Sequence, residues 1–149
     1  MRVADLMTTP PVTVTPSTAA RDAARLMAGQ AVGSVLVAEH GTLHGVLTDR
    51  DLVVRLLARD TPPDTPVSAL MTERTVTVGA DEDLTAAYRV FRRTGVRRLP
   101  VLDGTRLVGV LTIDDLFLDV LQRLADLLGP VSSSALREGG PTPAPNPVV

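Results

Sequence analysis

Two copies of one short motif contain the residues with the clearest capacity for chemistry. The motif reads Gly, two apolar residues, Thr, two variable residues and Asp, and its copies end at Asp51 and Asp115. In each copy the threonine, Thr48 or Thr112, precedes a predicted helix by one residue, and the aspartate follows three positions later, which is the spacing of a capping box. The same helix start presents free amides and a positive dipole end to a phosphate or hydroxyl. A helix cap and a ligand site both fit this pattern.

The motif occurs twice because the chain contains an internal repeat with an offset of 64 residues. Positions 3–59 align with positions 67–123 without a gap, and 20 of the 57 pairs are identical. The identities cluster in Leu-Met-Thr at 6–8 and 70–72, Val-Thr-Val at 12–14 and 76–78, and Gly-Val-Leu-Thr at 45–48 and 109–112. Two repeats are too few for a solenoid, so we expect a closed pair with pseudo-twofold symmetry.

Each repeat is predicted to fold in the order βαββα. In the first repeat, apolar periodicity and turn residues predict a strand at 12–14, a helix at 18–27 and a helix at 49–58, with a hairpin between the helices. The hairpin strands are predicted at 34–38 and 43–47, joined by a turn at His40-Gly41. The second repeat predicts helices at about 83–94, where Gly95 stops the helix, and at about 113–128.

The predicted organisation is one α/β (α+β) module made of tandem βαββα repeats. We assign residues 1–59 to the first repeat, 60–66 to a proline-rich linker and 67–128 to the second repeat. Residues 129–149 contain five prolines and few apolar anchors, and this composition predicts a disordered Pro/Gly-rich tail.

Composition restricts the classes of function. A chain of 149 residues with 44% hydrophobic content has enough apolar residues for one core. Membrane-span and signal-peptide patterns are missing from the sequence, so we expect a soluble cytoplasmic protein without membrane contact. The formal charge of −2 disfavours nucleic-acid binding. There is no cysteine, and neither His40 nor His44 has a partner at ligand spacing, so no metal site is predicted.

An enzyme is a poor interpretation of this sequence. No set of acid, base and nucleophile assembles from its residues, and the glycine patterns of phosphate loops and dinucleotide folds are missing. We therefore predict no catalytic residue and no catalytic cofactor.

The repeated motifs, in their order, resemble the CBS (cystathionine-β-synthase) domain, found in pairs as the Bateman module, here of the stand-alone bacterial type. The resemblance covers residues 1 to about 128 and includes the Val-Arg-Arg-Leu-Pro-Val stretch at 96–101. It implies two clefts between the repeats that bind adenosine-containing nucleotides such as AMP, ADP or ATP, with S-adenosylmethionine or NAD as alternatives. It also implies a regulatory role toward a partner protein, the identity of which is unknown, and a role for each motif aspartate as acceptor of the ribose hydroxyls.

The resemblance implies that each cleft takes residues from both repeats. Site A is expected to combine Thr8, Thr13, Val32 and Gly33 with Val110, Thr112 and Asp115. Site B is expected to combine Thr72, Thr77, Val96 and Arg97 with Val46, Thr48 and Asp51.

The two sites differ in charge. Arg97 and Arg98 of site B align with Gly33 and Ser34, so we expect phosphorylated ligands to prefer site B. The alternative is that these arginines alternate outward from a strand, so that only one faces a cleft.

The last predicted helix has more apolar residues than one buried stripe requires, which predicts a homodimer with this helix at the interface. These residues are Leu116, Phe117, Leu118, Val120, Leu121, Leu124, Leu127 and Leu128. The leading functional hypothesis is a nucleotide-sensing regulatory module. The alternative is a structural or dimerisation module with degenerate ligand sites.

Overall fold

Two three-stranded sheets, one from each repeat, form the framework of the protein in a computed structural model that describes residues 1–138 and the side chains of residues 1–131. The first repeat contains β1 (Thr13–Val14), α1 (Ala20–Gln30), β2 (Ser34–Glu39), β3 (Thr42–Thr48) and α2 (Asp49–Asp51). The second contains β4 (Val78–Gly79), α3 (Leu84–Thr94), β5 (Arg98–Asp103), β6 (Arg106–Thr112) and α4 (Ile113–Glu138). The predicted α/β class with tandem βαββα repeats is confirmed.

The sheets have the same topology. In each, a short parallel strand lies beside an antiparallel hairpin, in the orders β1-β2-β3 and β4-β5-β6. The register shifts between Val37 and Ala38 in one hairpin and between Val101 and Leu102 in the other, which are aligned positions. The first hairpin turns at His40 and Gly41, whose φ angles of 51° and 78° give the two left-handed residues of a tight turn. The repeat in sequence is therefore a repeat in strand order and register.

The opening segment of each repeat packs on the other repeat. Val3 starts a 3₁₀ turn, and its N–H donates to Glu82 O (2.9 Å), next to the start of α3. The aligned Val67 donates to Thr18 O (2.8 Å), next to the start of α1. Both valines are fully buried. Because this exchange is reciprocal, neither repeat completes its core without the other.

The helical segment after β3 is less regular than predicted. The sequence predicts one helix at 49–58, whereas α2 covers only Asp49–Asp51 and continues as a π-helical turn, Leu52–Leu56, and a 3₁₀ turn, Leu57–Arg59. The β-branched pair Val53-Val54 disfavours regular α-helix at this point. The segment ends at Asp60, whose φ of 52° reverses the chain.

The last helix is longer than predicted. Instead of ending near Leu128, α4 continues through Gly129 and Pro130 to Glu138. A proline inside a helix removes one hydrogen bond and crowds the preceding turn. Residues 131–138 contain no further Gly or Pro, and the helix continues through them. The rest of the predicted disordered tail, 139–149, lies outside the described residues.

The chain divides into two units after Ile113. The first, Met1–Ile113, contains β1 to β6, and the second starts at Asp114 and contains the remainder of α4. Over residues 1–138, no helix has both the length and the apolar character that a membrane span requires.

In the first unit, the side chain of Asp83 caps the start of α3. Two hydrogen bonds lower the pKa of Asp83: the larger effect comes from the Thr85 hydroxyl and the smaller from the Thr85 N–H.

Candidate ligand-binding site

The predicted capping box at Thr48 is present. Thr48 Oγ1 accepts from the Asp51 N–H (3.1 Å), and Asp51 Oδ2 accepts from the Thr48 N–H (2.9 Å). The box forms because Thr48 ends β3 in an extended conformation and α2 begins at the next residue. Within the Asp51 carboxylate, Oδ2 is thus the oxygen that forms the cap, and Oδ1 is the second acceptor oxygen. The side chain of Asp51 is only 13% exposed.

A pair of backbone hydrogen bonds joins the two repeats beside this box. The Val46 N–H donates to Thr72 O (3.0 Å), and the Thr72 N–H donates to Val46 O (2.9 Å). Val46 lies on β3 two residues before Thr48, so the bonds bring Thr72 of the second repeat close to the start of α2. Four of the residues predicted for site B, including Asp51, therefore lie in one connected group.

A glycine makes this junction close. A Cβ placed on Gly45 would lie 2.6 Å from Thr72 O and 2.9 Å from Met71 Sδ. Contacts this short do not occur for real side chains, so only glycine allows the opening segment of the second repeat to reach β3 here. In the sequence, Gly45 is marked only as part of the repeated motif, which gives no signal of this role.

The equivalent junction on the other side involves residues predicted for site A. Thr8 and Val110 exchange two backbone hydrogen bonds of 2.8 and 3.0 Å, and a Cβ on Gly109 would lie 2.9 Å from Thr8 O. Thr112 is half-buried at the end of β6. Asp115 lies in the first turn of α4, in the second unit, and its membership of site A stays a prediction.

Arg97 and Arg98 are both exposed at the start of β5. The carbonyl of Arg97 accepts from the Ile113 N–H (3.0 Å), and Arg98 pairs with Thr112 in the sheet. The aligned Gly33 has the same backbone bond, from the Asp49 N–H (2.9 Å), and a Cβ on Gly33 would lie 3.1 Å from Asp49 Oδ2. The first repeat thus has a carboxylate next to Gly33, whereas Ile113 is the aligned residue next to Arg97.

The remaining predicted residues have mixed positions. Thr13 is exposed on β1, and Thr77 is half-buried just before β4. Val32 is half-buried, donates its N–H to Met27 O (3.0 Å) and packs against the core of the first repeat. Val96 is half-buried at the end of the α3 to β5 turn. For Val32, the packing against the core favours a structural role.

Arg55 also contacts this site and was not among the predicted site residues. Its Nη1 donates to Leu70 O (2.9 Å) and Met71 O (3.1 Å), and its Nε lies 3.8 Å from Asp51 Oδ1. Arg55 lies outside the repeated motif, and the aligned residue is Asp119, so comparison of the repeats gave no signal. Its spacing of four residues from Asp51 is the one sequence feature that indicates the ion pair.

Metal binding has no support from the described side chains. Among residues 1–131, no three His, Asp or Glu side chains converge in a way that would hold a metal ion. His40 is exposed in the first hairpin turn, and His44 is exposed on β3.

These features define a class of protein: an α/β module of two interleaved βαββα repeats that exchange backbone hydrogen bonds, in the first repeat beside a capped, carboxylate-bearing helix start. The CBS domain model matches residues 3–58 and 67–121, and the chain belongs to this family. The family resemblance of the sequence is confirmed.

Similar proteins agree with this assignment. The CBS domain-containing protein YhcV of Bacillus subtilis (strain 168) is 39% identical over 114 residues, which cover 76% of this chain and 81% of YhcV. The structure of CBSX2 in complex with AMP superposes with a TM-score of 0.72 at 32% identity, covering 81% of this chain and 96% of CBSX2. The structure of CBS domain protein PAE2072 from Pyrobaculum aerophilum, complexed with AMP, superposes with a TM-score of 0.72 at 26% identity. The match covers 85% of this chain and 99% of the PAE2072 chain.

Proposed function

We propose that this protein is a regulatory module that binds an adenosine-containing nucleotide at site B and signals to a partner protein. The observation that carries the proposal is the junction between Val46 and Thr72, which brings elements of both repeats beside the box formed by Thr48 and Asp51. A ligand held at such a junction interacts with both repeats at once, and its binding free energy acts on their relative arrangement. CBS domain pairs are generally regulatory rather than catalytic, which agrees with this role.

AMP is the ligand we propose first, because two similar CBS domain structures contain it. ADP, ATP, S-adenosylmethionine and NAD share its adenosine group and are alternatives for the same site. In each case Asp51 supplies the ionised acceptor for the ribose hydroxyls, and Thr48 lies next to the ribose or phosphate. Hydrogen bonds to a charged acceptor are among the stronger ones in proteins, which makes Asp51 the principal anchor.

Arg97 and Arg98 are the proposed phosphate contacts of site B. Both are exposed, and guanidinium groups form paired hydrogen bonds with phosphate oxygens. If only one of them faces the ligand, we expect that one to account for the effect of replacing both.

The proposal is tested by thermal unfolding and calorimetry with AMP, ADP, ATP, S-adenosylmethionine and NAD. A ligand at about 100 times its Kd stabilises the folded state by roughly 2.7 kcal/mol, which raises the Tm by several degrees. Asp51→Asn retains an oxygen that can accept from the Thr48 N–H but removes the charge, so we expect roughly tenfold or greater weakening. Asp115→Asn, at the aligned position, is the matched control and should leave binding at site B intact.

A second candidate function, a dimerisation module without a ligand, has one supporting observation. Helix α4 exposes a row of large apolar side chains, among them Phe117 (66% exposed), Leu124 (54%) and Leu127 (67%). We propose that this helix forms the interface of a homodimer, since most closed homo-oligomers are twofold dimers. Failure of all five ligands to change the Tm, together with a dimer by light scattering, would favour this second function.

A further inference from the structure

From the contacts of Arg55, and resting on the proposed nucleotide site, we infer that this residue positions Asp51 and selects phosphorylated adenosine ligands at site B. Arg55 does not belong to the motif that carries the proposed ligand contacts. It lies one helical turn after Asp51, and its guanidinium reaches both the Asp51 carboxylate and the second repeat.

The backbone and side chain of Arg55 are held at several points. The backbone lies in the π-helical turn Leu52–Leu56, and its carbonyl accepts from Thr61 Oγ1 (3.0 Å). The side chain donates from Nη1 to two successive carbonyls, Leu70 O and Met71 O. π-helical turns of this kind occur frequently at functional sites. Here the turn contains a side chain that contacts both Asp51 and the opening segment of the second repeat.

These contacts connect Asp51 to the junction between the repeats. Met71, whose carbonyl accepts from Arg55, is followed directly by Thr72, which bonds to Val46. A single guanidinium therefore lies between the proposed ribose acceptor and the segment that joins the repeats. A shift of the Asp51 carboxylate on ligand binding would change the position of Arg55 and, through it, of residues 70–72.

Charge gives Arg55 its second role. A nucleotide phosphate is repelled by a carboxylate such as Asp51, and a guanidinium beside that carboxylate offsets the repulsion. The second repeat has the opposite charge at this position: Asp119 aligns with Arg55 and pairs with Arg123 (2.9 Å). The contact is thus a property of the first repeat and not a general consequence of the fold.

Adenosine and AMP, which differ only by the phosphate, separate the phosphate-selecting role from a merely structural one. We expect Arg55→Gln to weaken AMP binding roughly threefold to fivefold more than adenosine binding, the range typical of partly exposed charge pairs. Arg55→Lys retains the charge and should retain the ratio of AMP to adenosine affinity, even if both affinities fall. Arg59→Gln makes the same charge change at an exposed position in the neighbouring 3₁₀ turn and is the matched control.

Calorimetry of the four proteins with each ligand decides between the outcomes. The inference is supported if the ratio of AMP affinity to adenosine affinity falls in Arg55→Gln but not in Arg55→Lys or Arg59→Gln. Equal weakening of both ligands in Arg55→Gln, or equal changes of the ratio in Arg55→Gln and Arg59→Gln, would overturn the selection of phosphorylated ligands and leave the proposed function standing. An adenosine affinity that is unchanged in Arg55→Gln would overturn the positioning of Asp51. Absence of AMP and adenosine binding to the unaltered protein would overturn the proposed function and this inference together.

Discussion

Gly45 gives the sharpest test of how the two repeats are joined. In Gly45→Ala the new Cβ would lie 2.6 Å from Thr72 O, a backbone atom that moves only if the opening segment of the second repeat moves. Overpacking of this kind costs about 1–3 kcal/mol, and weakening the two bonds between Val46 and Thr72 adds about 0.5–1.5 kcal/mol for each. We therefore expect the free energy of unfolding to fall by roughly 2–6 kcal/mol.

Urea denaturation measures this loss, and Gly29→Ala is the control. Gly29 lies in α1 with nothing within 4 Å of its Cβ position, so its replacement should stabilise the helix by up to about 1 kcal/mol. The two alanine variants should thus shift the midpoint in opposite directions, Gly45→Ala downward by about 1–3 M. A Gly45→Ala midpoint equal to that of the unaltered protein would refute the close junction between the repeats.

Four further predictions concern the site, the pH dependence and the interface. Replacing Arg97 and Arg98 together by alanine should weaken AMP binding roughly tenfold and adenosine binding little, as measured by calorimetry; equal weakening would contradict phosphate contact. Thr48→Ala removes a helix cap and should lower the free energy of unfolding by about 1 kcal/mol, measured in urea. Because the pKa of Asp83 is lowered on folding, its stabilising contribution is present above its unfolded pKa and is lost as the pH falls through the folded pKa; in Asp83→Asn this part of the pH dependence should vanish. Leu124→Asp should convert the proposed dimer to a monomer in light scattering, whereas an unchanged mass would exclude this part of α4 from the interface.

The fold was predictable because its main signals are local and occur twice. The alignment of the repeats, the turn at His40-Gly41 and the stop at Gly95 correspond directly to elements of the structure. The irregular turn after Asp51 was not predictable from periodicity, since Leu52 and Leu56 are spaced as in an ordinary helix. The continuation of α4 past Pro130 was missed because a proline more often ends a helix than interrupts it.

The candidate site was predictable only where the repeated motif marks it. The box of Thr48 and Asp51 follows from spacing, and the link between Val46 and Thr72 agrees with the expectation that both repeats contribute. Arg55 was missed because its partners, Leu70 O and Met71 O, are backbone atoms that carry no sequence pattern. Contacts of this kind depend on tertiary structure, which the motif alone does not specify.

The most direct test of nucleotide binding at site B is an amide chemical-shift map of the protein titrated with AMP. The proposal predicts saturable shifts at Val46, Thr48, Asp51 and Thr72, on both sides of the junction, and their loss in Asp51→Asn. Shifts confined to other parts of the chain, or none at millimolar AMP, would contradict it.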